Sequence, residues 1–233
     1  DVALLVGQAG ERMAYLTLPK VHSVTEVKEA IDHINQIAYA AGISRNIPIH
    51  VLIETHGALR EVFEIAALAQ VECLSFGLMD FVSAHHGAIP AYAMQSPEQF
   101  EHPLVARAMT EIAVACHTHG KVPSHNVCTD IAQPENAGKD ARRARQQFAY
   151  TRKWSIHPTQ IRPILQAFGP DAAEINEAIT ILTIAHAAQW GPIQHAGRLH
   201  DYASYRYYLT TLKKAKNSGI VLSADVLAFL QYV

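Results

Sequence analysis

The chain has 233 residues, 49% of them hydrophobic and 17% charged, with a formal net charge of −2. That is enough apolar material for one large domain or two small ones, and the charge balance argues against nucleic acid or an anionic membrane as the main partner. No apolar run approaches the ~18 residues that span a bilayer, and the first residues do not read as a secretory signal. Three cysteines without metal-type spacing, Cys73, Cys116 and Cys128, point to a reduced, cytoplasmic setting.

In chain order the pattern alternates strand and helix. Ala14–Pro19 reads as a strand. Ser23 then opens a helix, with Glu26 three residues on as a capping box. Val24, Val27, Ile31, Ile34 and Ala38 give that helix one apolar face, and Gly42 ends it. The strand Ile49–Ile53 follows, then a helix Ala58–Leu68 and a strand Glu72–Phe76. Pro103 opens a helix that runs to His119 and stops at Gly120. Lys121–Ser124 is a short strand, Gln133–Lys139 a loop, Asp140–Phe148 a helix and Trp154–Ile156 a last short strand. Pro158 starts another helix. After Gly169 the pattern changes: a long helix covers Glu174–Gln189, Gly191–Ala203 reads as a loop, and two more helices close the chain. About five βα units followed by a helical tail imply a parallel sheet with right-handed crossovers, either open and doubly wound or part of an eight-stranded barrel. Neither glycine-rich phosphate-loop pattern occurs, which lowers the prospect of a nucleotide-binding sheet.

Two carboxylates stand at the ends of predicted buried strands, Glu54 after Ile49–Ile53 and Asp80 just beyond Phe76. The carboxyl ends of parallel strands are where ligands bind. A carboxylate pair at one mouth can hold a hard cation such as Mg²⁺, with water and substrate oxygens completing its shell. The plainer reading is that each acid caps the helix that follows it. The fourteen histidines invite a zinc reading, but His85-His86 and His117-Thr118-His119 lack the i, i+4 geometry of a helical zinc site, so solvated or hydrogen-bonded histidines are the better explanation. Lys20 ends a strand and can in principle form a Schiff base.

Five motifs in register, Leu18-Pro19-Lys20-Val21, Ile53-Glu54-Thr55, Phe76-Gly77-Leu78-Met79-Asp80, Ile156-His157-Pro158-Thr159-Gln160 and Gly197-Arg198-Leu199-His200-Asp201, resemble the citrate lyase β-subunit-like group. That group lies within the HpcH/HpaI aldolase superfamily and includes the malyl-CoA and citramalyl-CoA lyases. The resemblance implies an α/β fold, a TIM (β/α)8 barrel with a C-terminal helical lid, commonly trimeric. Residues 1–169 would supply barrel strands four to eight, the first three strands being missing from this chain, and residues 170–233 the lid and oligomerisation segment. It implies Mg²⁺ as cofactor on Glu54 and Asp80. Gly77 would sit where backbone approaches a ligand, the amides of Leu78 and Met79 would bind a substrate carboxylate, and Lys20 would be a supporting charge in the mouth. Asp201, from the lid of one chain over the site of another, would exchange a proton with the acetyl-CoA methyl group. His157 fits a structural or CoA-side role.

The implied activity is Mg²⁺-dependent cleavage of a 3-hydroxyacyl-CoA ester, citramalyl-, malyl- or citryl-CoA, into acetyl-CoA and an oxo-acid. The alternatives are a metal-dependent aldolase on a free hydroxy-oxo-acid and a non-catalytic homologue that binds a CoA ester or a partner protein. Three departures from the family pattern stand out. His22 replaces a frequent glutamate, Ser124-His125-Asn126 replaces an Ile-Asp-Gly segment, and Ala203 replaces a proline.

Overall fold

The computed structural model describes residues 1–232. The chain divides into two compact units, Asp1–Ile164 and a second from Leu165 onward, with the division inside one helix. Among the described residues no helix is long and apolar enough to cross a membrane.

The first unit opens with α1 (Val2–Ala9), a helix the sequence reading passed over, because its short apolar run carries no decisive period. β1 (Leu16–Leu18) leads to α2 (Val24–Ala40). Ser23 caps α2 by accepting the Glu26 N–H, but Glu26 turns its carboxylate to the His22 N–H at 2.8 Å, so half of the expected capping box is displaced by one residue. β2 (Ile49–Ile53) follows. The expected helix Ala58–Leu68 is two short helices, α3 (His56–Arg60) and α4 (Val62–Ala66), broken at Glu61. Glu61 there accepts the N–H of Val24, 37 residues away, so a tertiary bond overrides local propensity.

β3 (Val71–Phe76), α5 (Leu78–Ser83) and α6 (Pro103–Thr118) come next, then β4 (Val122–His125), α7 (Glu135–Phe148), β5 (Arg152–Lys153) and α8 (Ile161–Phe168). α7 starts five residues earlier than its pattern suggested. β5 lies two residues before the expected Trp154–Ile156, whose first member instead hydrogen-bonds back to the His125 carbonyl.

The five strands form one parallel sheet in the order β1-β2-β3-β4-β5. A sequential order with right-handed crossovers places the connecting helices on a single face. That face is the core: α4 and α6 pack on β3, α6 also on β4, and Val51, Ile53, Leu74, Phe76, Met109 and Ile112 are buried there. The opposite face carries His50, Cys73, Ser75, Ser124 and Arg152. On it Trp154 Nε1 donates to Ser75 Oγ at 2.9 Å. Across the whole sheet, an Arg152 nitrogen donates to the Tyr15 hydroxyl at 3.2 Å, and its guanidinium lies 5.1 Å from the Tyr15 ring centre. A group on the last strand thus meets one just before the first, so the sheet is strongly curled around its polar face.

The second unit pairs α9 (Ala172–Ala187) with α10 (Tyr202–Asn217) and α11 (Ala224–Phe229) around Ile181, Leu182, Tyr205, Leu209, Leu212 and Phe229. Asp171 and Glu174 form a complete capping box on α9. The segment read as a loop, Gly191–Ala203, holds a two-stranded antiparallel hairpin, β6 (Ile193–His195) and β7 (Arg198–His200). Its turn residues, Ala196 at φ 48° and Gly197 at φ 76°, both have positive φ, as a type I′ turn requires. The Tyr205 hydroxyl pins the hairpin to α10, 2.7 Å from the Gly191 carbonyl and 3.1 Å from that of His200.

Candidate metal centre

Register brings the two carboxylates together. Ile53 pairs with Phe76, so Glu54 and Gly77 are neighbours one residue past their strands. The Gly77 N–H donates to the Ile53 carbonyl at 3.0 Å. A β-carbon at Gly77 would lie against Glu54 Cβ and 2.5 Å from its Oε2, so only glycine leaves room for this carboxylate. Asp80 stands in the first turn of α5, four residues beyond the strand end, near enough for its charge to act on Glu54.

Glu54 is 5% exposed. Its Oε1 accepts the Lys20 N–H at 2.7 Å. Lys20, two residues past β1, is in the left-handed region, φ 55°, a conformation a non-glycine residue adopts at some cost and that orients the N–H here. The Lys20 ammonium lies 3.3 Å from Asp80 Oδ1. Burial raises the Glu54 carboxyl above its ordinary range. The Lys20 N–H opposes this, and the Asp80 charge adds to it.

Neither acid is a helix cap. Thr55 caps α3, accepting the Ala58 N–H at 3.0 Å and donating to the Val21 carbonyl at 2.7 Å, and the N-cap of α5 is Gly77. A buried, hydrogen-bonded carboxylate beside a second, half-exposed one offers the anionic oxygen donors that a hard divalent cation takes. Among the described residues no third His, Cys, Asp or Glu side chain joins them. That donor set suits Mg²⁺, which is typically held by one or two carboxylates with water and substrate oxygens completing the octahedron.

Of the other sequence-predicted residues, Leu78 is buried and Met79 exposed at the start of α5, with their amides in the turn that has no intrahelical acceptors. Asp201 lies in the second unit, where it caps α10: its Oδ1 accepts the N–H groups of Ala203 at 3.0 Å and Ser204 at 3.4 Å. Ala203 supplies an N–H that the family's usual proline lacks. His157 caps a 3-10 turn (Pro158–Gln160), its Nδ1 accepting the Thr159 N–H at 3.4 Å.

Sequence reading gave no role to two buried residues. Gln160 ties Ile156 N–H to the Cys128 carbonyl, and Lys153 is packed behind β4. The only signal for Lys153 was a lysine directly before a strand-like run, where a long charged side chain must either leave the core or find partners.

Residues 6–158 match the model of the HpcH/HpaI aldolase/citrate lyase family. A crystal structure of a citrate lyase from Burkholderia xenovorans LB400 is 50% identical, with TM-score 0.90, covering 98% of this chain and 71% of that one. The L-malyl-CoA/β-methylmalyl-CoA lyase of Cereibacter sphaeroides is 28% identical over 229 residues, 93% of this chain and 71% of that protein. The fold is also shared with the Mycobacterium tuberculosis protein CitE, solved with magnesium, acetoacetate and coenzyme A. There the TM-score is 0.70 at 20% identity, over 87% of this chain and 68% of that one. The chain belongs to the HpcH/HpaI aldolase/citrate lyase family of carbon–carbon lyases.

Proposed function

We propose that the chain works as a Mg²⁺-dependent lyase that cleaves a 3-hydroxyacyl-CoA ester, of the malyl-, citramalyl- or citryl-CoA kind, into acetyl-CoA and an oxo-acid. The observation that carries this reading is the meeting of Glu54, just past β2, and Asp80, in the first turn of the helix after β3, with Lys20 bound to both. The lyase relatives, and the magnesium and coenzyme A of the solved neighbour, support the same substrate class.

In this scheme Glu54 and Asp80 hold the cation, which when bound supplies Lewis-acid polarisation to the oxo-acid portion. The Leu78 and Met79 amides bind the substrate carboxylate. Lys20 keeps the two acids ordered and adds positive charge at the mouth. Asp201, from a neighbouring copy, returns a proton to the acetyl carbon after the carbon–carbon bond breaks. Its role as the cap of α10 fixes that carboxylate relative to its own helix, the preorganisation a proton donor needs.

The parallel sheet with its sequential order, curled so that Arg152 reaches Tyr15, supports a TIM barrel to which these strands contribute the last five. The segment from residue 170 would act as lid and oligomerisation surface of a homotrimer. The three free, buried cysteines suit a cytoplasmic setting. Incubating the protein with a panel of CoA esters, with and without Mg²⁺, tests the reading. Metal-dependent release of acetyl-CoA is expected. Ester binding without turnover would instead make this a non-catalytic homologue.

A further inference from the structure

Lys153 is enclosed in the first unit with no carboxylate within ion-pair distance among the described residues. Its ammonium instead donates to the Asn126 carbonyl at 2.6 Å and lies 3.0 Å from His125 Nδ1. An ammonium has only donors, so Nδ1 accepts and the neutral ring carries its proton on Nε2. Burial depresses the His125 pKa strongly, which keeps that ring neutral. The ring is stacked on Phe100, centres 5.3 Å apart, and edge-on to Tyr150. An enclosed charge with neutral partners is expensive, and an apolar side chain of similar volume would fill the space at lower cost.

What this charge holds lies in the row of the metal centre. Ile53 pairs with Phe76, Ser75 with Ser124 and His125 with Lys153. One residue further along each strand, Glu54, Gly77, Asn126 and Trp154 therefore occupy a single row at the carboxyl end of the sheet. Neighbouring strands are ~4.8 Å apart, so Asn126 stands about 10 Å from Glu54. Asn126 is fixed from its other end as well. Asp140 is an acceptor, so Gln99 must turn its Nε2 toward it, 3.3 Å away, which leaves Gln99 Oε1 to accept Asn126 Nδ2 at 3.0 Å. Ser96 donates to the same Asp140. Gln99, Asp140 and the residues after Asn126, Val127–Asp130, line a cavity of about 610 Å³.

We propose that Lys153 is a positioning residue for the lyase reaction. From behind the sheet it clamps the Asn126 carbonyl and the His125 ring, and so holds the β4 end and the wall that follows it in register with Glu54 and Gly77. The inference rests on the proposed lyase reading of that row. The groups facing the ammonium are His125 on β4, Asp140 on α7 and the Cys128 thiol in the loop. Burial lowers the Lys153 pKa to about 8 despite the opposing influence of Asp140 and Cys128, so the clamp carries its charge at neutral pH and gives it up just above.

The test uses the whole chain and Lys153→Met. Nitrogen NMR of the histidines should show His125 as the Nε2–H tautomer in the wild type and as a mixture in the variant. Amide exchange of residues 127–130 should quicken in the variant. kcat should fall by about 10²-fold with KM little changed, the cost of a slight misplacement at a reacting centre. If the variant does not fold, the wild type serves: at neutral pH its His125 should be the Nε2–H tautomer, with Nδ1 accepting from the ammonium. Unchanged tautomer, exchange and kcat in Lys153→Met, or an Nδ1–H tautomer of His125 in the wild type, would overturn the proposal. A wild type inactive on every ester refutes the lyase reading, whereas the tautomer and exchange readouts still decide whether Lys153 positions this loop.

Discussion

The backbone N–H of Lys20 is bonded to Glu54 at 2.7 Å while its own ammonium sits 3.3 Å from Asp80. One residue just past the end of β1 thus touches both acids of the candidate centre, through its main chain on one side and its side chain on the other. The left-handed backbone of Lys20 makes this double contact possible.

Gly77 is the position where a single methyl group should damage the centre. Its φ of −95° suits any residue, so Gly77→Ala brings no backbone strain, only a clash with Glu54. Overpacking of this kind costs ~1–3 kcal/mol. The larger effect should be on Mg²⁺, with affinity weakened roughly 10–100-fold, as when the support of a ligand is disturbed. Calorimetric titration checks this, and an affinity equal to wild type would show that Glu54 is not held by that contact.

Ionised Glu54 should be a stability liability in the absence of metal. Its carboxyl is raised in the folded state, so the folded protein keeps the proton to higher pH than the unfolded chain. That contribution is complete below the unfolded value near 4.5 and is lost as pH rises through the raised one. Glu54→Gln keeps the acceptor for the Lys20 N–H and removes the charge. Its metal-free melting temperature at pH 7 should exceed that of the wild type by roughly 2–4 °C per kcal/mol relieved, an advantage that shrinks toward pH 4. Adding Mg²⁺ should raise the melting temperature of the wild type alone. Melting curves at pH 4 and 7, with and without Mg²⁺, decide the point.

Asp201 can be tested without disturbing its helix. Asparagine caps as well as aspartate, whereas alanine forfeits ~0.5–2 kcal/mol of cap. Asp201→Asn should therefore keep the melting temperature while kcat and the exchange of acetyl-CoA methyl protons with deuterated solvent fall by ~10²–10⁴-fold. Full exchange in Asp201→Asn would reduce Asp201 to a helix cap.

The buried Lys153 predicts a sign as well as a size. Its pKa falls from 10.5 to about 8 on folding, so between those values the unfolded chain binds the extra proton and stability rises with pH. Wild type measured against Lys153→Met should gain stability between pH 8 and 10.5. Cys116, pushed up to about 12 by burial, pulls the other way in both proteins and cancels in the comparison. Urea unfolding at pH 7.5 and 10 gives the difference directly.

What could be read from the sequence follows from how local each signal is. The strand Ile49–Ile53 and the carboxylate after it were legible because a buried parallel strand is an unbroken apolar run and its end is a single step. Asp80 was legible for the same reason, one βα unit later. Lys153 was not, because its partners lie 27 and 28 residues away on another strand. Nor was the hairpin turn, because Ala196 occupies a position where asparagine would have announced it. The break at Glu61 and the cap formed by Asp201 depend on which backbone N–H groups the fold presents, and composition does not carry that.

The proposed chemistry turns on Glu54 and Asp80 holding one divalent cation that the lyase reaction needs. Mg²⁺ titration of the wild type and of Asp80→Asn, with ester cleavage assayed on the same samples, tests it most directly. One Mg²⁺ per chain is expected in the wild type, lost in the folded variant together with metal-stimulated acetyl-CoA release. Equal Mg²⁺ binding by both proteins, or cleavage by the wild type undiminished after chelation, would contradict it.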